Sequence, residues 1–303
     1  MKKILCTLLG ALTISATFSS SAFANSIVSY ENDFTSEINF IVAEYTRMYP
    51  LYSAELSNRV ENFALQESFK DYYDENPEEA ITALRDSLDF YISYREKKPD
   101  NNISPLASDT SSSYSKYYVN CPTAKSEIMQ INGTYCGPAS VYITIAGIKN
   151  HVPSAIATSQ VNSQTAHAQA MGTSSNGTDE GQMRSRLTAM LKNRKYLMDY
   201  KANFTRTEFI NYVIDSLNND NPVVLLITNP FLSYYPSSYL NNSAYSSSNH
   251  YVVVSEVTYA ANNYYFTIVD PNNYNNGQLC GSHSISATNA FNNSIALLWG
   301  NNL

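Results

Sequence analysis

The chain has 303 residues, 44% of them apolar and 15% charged, with a net charge of −7. That length holds more than one typical domain and fewer than three. The absence of a basic patch argues against a nucleic-acid partner. The charge is uneven: residues 25–100 carry 16 acidic against 7 basic side chains, whereas from Asn101 onward the two signs balance at 10 each.

Residues 1–24 open with Lys2 and Lys3, continue with an apolar stretch from Ile4 to about Phe18, and close on Ala22-Phe23-Ala24. That order reads as a secretory signal peptide cut after Ala24. The stretch is too short and too rich in Ser and Thr for the roughly 20 residues of a membrane span. Cys6 leaves with it, and the remaining chain is expected to be secreted, with no membrane association.

Residues 25–97 read as an acidic helical segment. Ile38, Ile41, Val42, Tyr45 and Met48 recur at three- and four-residue steps, as do Leu56, Val60, Phe63 and Ala64. A third helix starts at Asn76-Pro77, with Glu79 placed for a capping box and Ile81, Leu84, Leu88 and Ile92 as its stripe. Residues 98–117 hold Pro99, Pro105 and a Ser/Thr/Asp/Asn-rich run, which predicts a flexible, protease-accessible linker.

From Tyr118 to Leu303 the pattern is mixed. A helix is expected from about Pro138 to Ile148, apolar on nearly all faces and therefore buried. Two more follow, Asp179 to Lys192 and Thr207 to Leu217. The apolar run Pro222–Thr228, the hairpin "HYVVVSEVTYA" and "NNYYFTIVDP", and the late "SIALLW" read as strands. Between them Asn229–His250 is a long polar and aromatic loop, a length usual for functional segments. The fold class is α+β, a buried helix on an antiparallel sheet.

Cys136 sits just ahead of Pro138, at the start of the buried helix, where unpaired N–H groups and the helix dipole favour a thiolate. Taken alone, a small buried residue is the favoured reading. Three further residues make it chemical. Gln130 lies six residues upstream, where its amide can donate to an oxyanion beside the Cys136 N–H. His250 opens a strand, and Asp270 ends the next one, so an antiparallel pairing sets them side by side as base and orienting carboxylate. Asn272 is an alternative orienter, His283 a weaker base, and His151 and His167 read as solvated surface residues.

The set "Q-x5-C-G-P-A", "H-Y-V-V-V" and "V-D-P" resembles the papain-like cysteine peptidases that process double-glycine bacteriocin leaders, over about 185 residues by rough count. The resemblance implies a papain-like fold with Cys136 as nucleophile, His250 as general base, Asp270 as its orienter and Gln130 in the oxyanion hole. The exporters of that family carry a transporter domain, and no later run here approaches a membrane span. Residues 25–97 lie outside the shared pattern, and read as an inhibitory propeptide of a zymogen or as a permanent accessory domain.

Three cysteines remain after processing, and an odd count leaves one unpaired. With Cys136 free, Cys121 and Cys280 are the expected disulfide, able to stabilise by up to roughly 4–5 kcal/mol. No His, Cys and carboxylate cluster has metal-ligand spacing, and no cofactor is expected. The resulting expectation is a secreted cysteine peptidase acting on a peptide or protein. "YCGPAS" also resembles the nucleophile motif of phytochelatin synthases, which transfer an acyl group to another amine. A non-catalytic binder using the Tyr-rich loop Phe231–Tyr245 is the reading from another class.

Overall fold

A computed structural model describes residues 22–97, 114–157, 161–228, 233–241 and 249–302. The expected signal peptide, apart from Ala22–Ala24, and most of the expected linker lie outside the described residues. Among the described residues no helix is long and apolar enough to cross a membrane.

The N-terminal part folds into α1 (Ala22–Met48), α2 (Ser53–Ala64), α3 (Glu67–Glu75) and α4 (Pro77–Lys97). Pro77 occupies the first position of α4, where its missing N–H costs nothing. Glu79 differs from the expected capping box: its Oε2 accepts from Tyr72 and from Ser185 of the following domain. The separate helix α3 was hidden by the aromatic and acidic mixture of "ESFKDYYDE".

The second part is a 7-stranded sheet in which every neighbouring pair is antiparallel. Its strands are β1 (Tyr114–Tyr118), β2 (Arg194–Tyr200), β3 (Val223–Thr228), β4 (Asn249–Ala260), β5 (Asn263–Asp270), β6 (Gly281–Ser286) and β7 (Ser294–Asn302). The order is β2-β7-β3-β4-β5-β6, with β1 paired to the far half of β4. Between β4 and β5 the turn residues Ala261 and Asn262 both have positive φ, 49° and 62°, as a two-residue hairpin turn matched to strand twist requires.

Three strands depart from the sequence reading. β1 begins inside the expected linker, because Tyr114–Tyr118 finds a partner in β4 that local composition does not reveal. β2 contains a buried Asp199, which breaks its apolar run. The polar β6 "GSHSIS" pairs with β5 and, among the described residues, with no other strand, an edge position at which polar strands are common.

Helices α5 (Cys136–His151), α6 (Gln164–Ala170), α7 (Glu180–Ala189), α8 (Arg206–Asn218) and α9 (Ala287–Asn293) cover the sheet. α5 packs on β3 and β4, α7 on β2, and α8 on β1, β3, β4 and β7. α7 is capped by Asp179, and α8 by a capping box of Thr205 and Glu208.

The N-terminal helices do not form a bundle apart; they share one apolar core with the sheet domain. Phe63 stands edge-on to Tyr200 at 5.0 Å, and Phe90 to Trp299 at 5.5 Å. Arg59 of α2 pairs with Asp199 of β2 at 2.6 Å, and both side chains are buried. Asp86 of α4 pairs with Arg184 and Lys195. At Gly181 an added Cβ would stand 2.3 Å from the Tyr72 ring, so this contact of α3 on the start of α7 requires glycine.

Candidate active site

Cys136 is the first residue of α5, whose buried positions cover nearly its whole circumference, so the thiol is held by a helix locked into the core. Gly137 allows a close approach: an added Cβ would meet Thr178 Oγ1 at 2.8 Å. His250 stands at the start of β4, paired across to Ile227 of β3, and Asp270 at the end of β5, paired to Gly281 of β6. His250 Nε2 and Asp270 Oδ1 are 2.7 Å apart. The Cys136 thiol is coupled electrostatically to the His250 side chain and to the backbone N–H groups of Tyr251 and Gly137, all of which favour its thiolate. With Nε2 engaged by Asp270, Nδ1 is the ring nitrogen left for sulfur.

The three groups bias one another's protonation. Burial pushes the Cys136 thiol up, but the hydrogen bond and charge of His250, with the Tyr251 and Gly137 N–H groups, bring it below its ordinary value. For His250 burial pulls down, while Asp270 and then Cys136 push up, and the imidazolium is held to about pH 10. Asp270 is raised by burial and lowered more by His250, by Tyr234 and by the Asn272 N–H, so it stays a carboxylate. The combination favours a thiolate–imidazolium pair, the form in which a cysteine attacks carbonyl carbon.

Asp270 has further partners that the sequence did not single out. Its Oδ2 accepts from Tyr234 at 2.7 Å and Tyr235 at 3.0 Å, while Oδ1 also accepts from the Asn272 N–H at 2.8 Å. Burial, and next the charge of Asp270, push both phenols well above the ordinary tyrosine range, so they remain donors. Their only signal in the sequence was the Tyr-Tyr-Pro step within the long aromatic loop. Tyr235 and Tyr239 are buried and Tyr234 is partly buried, whereas Phe231 and Tyr245, which bound the loop expected of a binder, lie outside the described residues. Asn272 does not replace Asp270 as orienter: its Nδ2 donates to Tyr239 and its Oδ1 caps Tyr274.

Gln130 is anchored beside the end of β5, its backbone N–H donating to Pro271 O at 2.8 Å. Its side-chain Nε2 donates to Asn132 O at 2.8 Å, which leaves the second amide hydrogen for another acceptor.

The other histidines lie outside this cluster. His283 stacks flat on Tyr234, centroids 3.8 Å apart, and bonds Leu279 O. His151 accepts from the Asn120 N–H at the end of α5 and is half-buried. His167 is not the solvated residue expected: it is fully buried between Asn162 and Arg186, and burial with the Arg186 charge lowers it to about 3. Its apolar neighbours Ala166 and Ala168 were too small a signal to reveal burial.

The expected Cys121–Cys280 disulfide is absent; Cys121, Cys136 and Cys280 are all free, buried thiols. The physical reason is placement. Cys121 lies against Gly147, roughly 16 Å along α5 from Cys136 at 1.5 Å per residue. Cys280 immediately precedes Gly281, the β6 residue paired with Asp270, and so lies by the site itself. Among the described residues no group of three or more His, Cys, Asp or Glu is arranged to hold a metal.

Residues 124–294, more than half of the chain, match the model of the Peptidase_C39 like family. The chain belongs to this family of papain-like cysteine peptidases. A search of curated proteins found no match. In this C39-like chain the matched region contains Gln130, Cys136, His250 and Asp270, and excludes helices α1 to α4. The helix-on-antiparallel-sheet architecture agrees with the papain-like class.

Proposed function

We propose that this protein is an exported cysteine peptidase in which Cys136, His250 and Asp270 act as a triad. The observation that supports it is the buried His250–Asp270 hydrogen bond, together with the mutual coupling that lowers the Cys136 thiol and raises the His250 imidazole. The thiolate adds to a peptide carbonyl carbon, and the carbonyl electron pair becomes an oxyanion received by the Cys136 N–H and the Gln130 amide. Collapse of that intermediate breaks the C–N bond as His250 protonates the departing amine. Water, deprotonated by the now neutral His250, adds to the thioester, and the thiolate leaves with the acid product.

A digest of a peptide library by the purified chain, beside Cys136→Ala, tests this reading. New cleavage products in the parent and none in the variant are expected. Equal absence of products and of Cys136 labelling by a cysteine-directed epoxide would favour a binding protein. Ligation products from a glutathione-like donor would favour acyl transfer.

For residues 25–97 the packing favours a permanent accessory part over a removable propeptide. Taking them away strips Arg59 from the buried Asp199 and uncovers Tyr200, Tyr212 and Trp299. Losing one partner of a buried ion pair costs about 3–5 kcal/mol, a large share of a domain's stability.

A further inference from the structure

We infer that Gln164 is a positioning residue for the oxyanion donor Gln130; the inference rests on the peptidase reading above. Gln164 is the first residue of α6 and is 7% exposed. Its carboxamide spends both of its ends on the backbone that brackets Gln130. Oε1 accepts from the Ile131 N–H at 3.0 Å, and Nε2 donates to Met129 O at 2.9 Å.

That pattern is the hydrogen bonding of a parallel β-bridge. One peptide partner contacts the carbonyl before, and the N–H after, the residue it faces. Here a side-chain amide does so in place of a neighbouring strand. On the other side of the same extended segment, the Gln130 N–H donates to Pro271 O at 2.8 Å. Gln130 is therefore held like a residue in the middle strand of a three-stranded sheet, although residues 129–131 belong to no strand. One of these lateral supports comes from β5, directly after Asp270, and the other from α6.

The physical need for such a clamp follows from the local chain. Gln130 lies between the single helical turn Lys125–Ile128 and the turn Asn132–Tyr135, with no regular element of its own. An oxyanion donor stabilises only if its N–H is already aimed when charge develops, and a misplacement of about 1 Å can cost on the order of 100-fold in rate. Gln164 itself is well fixed: Ser163 caps α6 by accepting from the Ala166 N–H at 3.2 Å, and the buried His167 follows one turn later. The support thus runs from the helix cap through the carboxamide to the Gln130 backbone.

The test is a cycle of Gln164→Met, Gln130→Ala and the double variant. Methionine keeps the length of the side chain without its hydrogen bonds. Gln164→Met is expected to lower kcat by about 10- to 100-fold with little change in KM. It is expected to weaken a reversible peptide aldehyde, whose adduct oxygen occupies the same position, by a similar factor. Alkylation of Cys136 by iodoacetamide, followed by mass spectrometry, needs no oxyanion donor and should keep the parent rate. Added to Gln130→Ala, the methionine should cost little more.

An undiminished loss in the Gln130→Ala background would overturn the proposal, as would a fall in alkylation parallel to kcat. Gln130→Ala without effect on a chain that does hydrolyse peptides would also overturn it. A parent chain that hydrolyses no peptide refutes the peptidase reading separately. Aldehyde affinity at Cys136 still reports on Gln164 in that case.

Discussion

In the proposed triad of Cys136, His250 and Asp270, three titrating groups bias one another's protonation. Because the thiol is lowered and the imidazole raised, the thiolate–imidazolium form spans the interval between them. The pH profile of kcat/KM should rise through an acid limb below the ordinary thiol range and fall only near pH 10, where His250 loses its proton. These limbs belong to the coupled pair and not to either residue alone. The alkylation rate of Cys136 followed against pH checks the acid limb independently, and an ordinary thiol titration near pH 8.5 would contradict it.

Asp270 has a lowered folded pKa, so its contribution to stability is full above the unfolded value and is lost as pH falls through the folded one. Tyr234→Phe removes a donor to the carboxylate and should bring that loss to higher pH. The cost at neutral pH is expected to be about 1.5–3 kcal/mol, the worth of a hydrogen bond to a charged group. Thermal melts from pH 7 downward measure both effects.

The residues with strong local signals were readable in the sequence. Cys136 preceded Gly-Pro at a helix start, and His250 opened and Asp270 closed one hairpin, so that strand pairing brings them to the same end. Tyr234, Tyr235 and Gln164 were not readable, because each acts through a partner supplied by distant chain. A tyrosine in a polar loop looks alike whether it meets solvent or a buried carboxylate.

Among the elements, α5 and the β4–β5 hairpin carry the site, and their periodicity or alternation announced them. The elements that escaped notice were those whose stability comes from a neighbour. β1 depends on β4, polar β6 on β5, and β2 on Arg59 neutralising Asp199. Arg59→Leu should therefore destabilise the whole chain by about 3–5 kcal/mol, while the double change Arg59→Leu with Asp199→Leu recovers much of that loss. Chemical denaturation of the three variants decides the matter; equal losses in the single and double variants would mean that the ion pair is not what fastens α2 to β2.

On the scale of the whole molecule, α1 to α4 and the sheet domain share one core, and are expected to unfold as one unit. An engineered cleavage site between residues 98 and 113, once cut, should leave two fragments that co-elute and keep their activity. A rise in activity on cutting, with release of the N-terminal fragment, would instead establish a zymogen. Size exclusion coupled to the peptide assay distinguishes the two outcomes.

β1 gives the connection between these parts a kinetic meaning. Since β1 is stitched to β4 and α4 ends at Lys97, the two ends of the 16-residue connection, residues 98–113, are fixed to the same body. Short tethers confer effective concentrations on the order of millimolar. In the intact chain, a helix that peels off is thus recaptured before it can diffuse away. After a cut, the same contact becomes a bimolecular equilibrium, and dilution alone would begin to empty it.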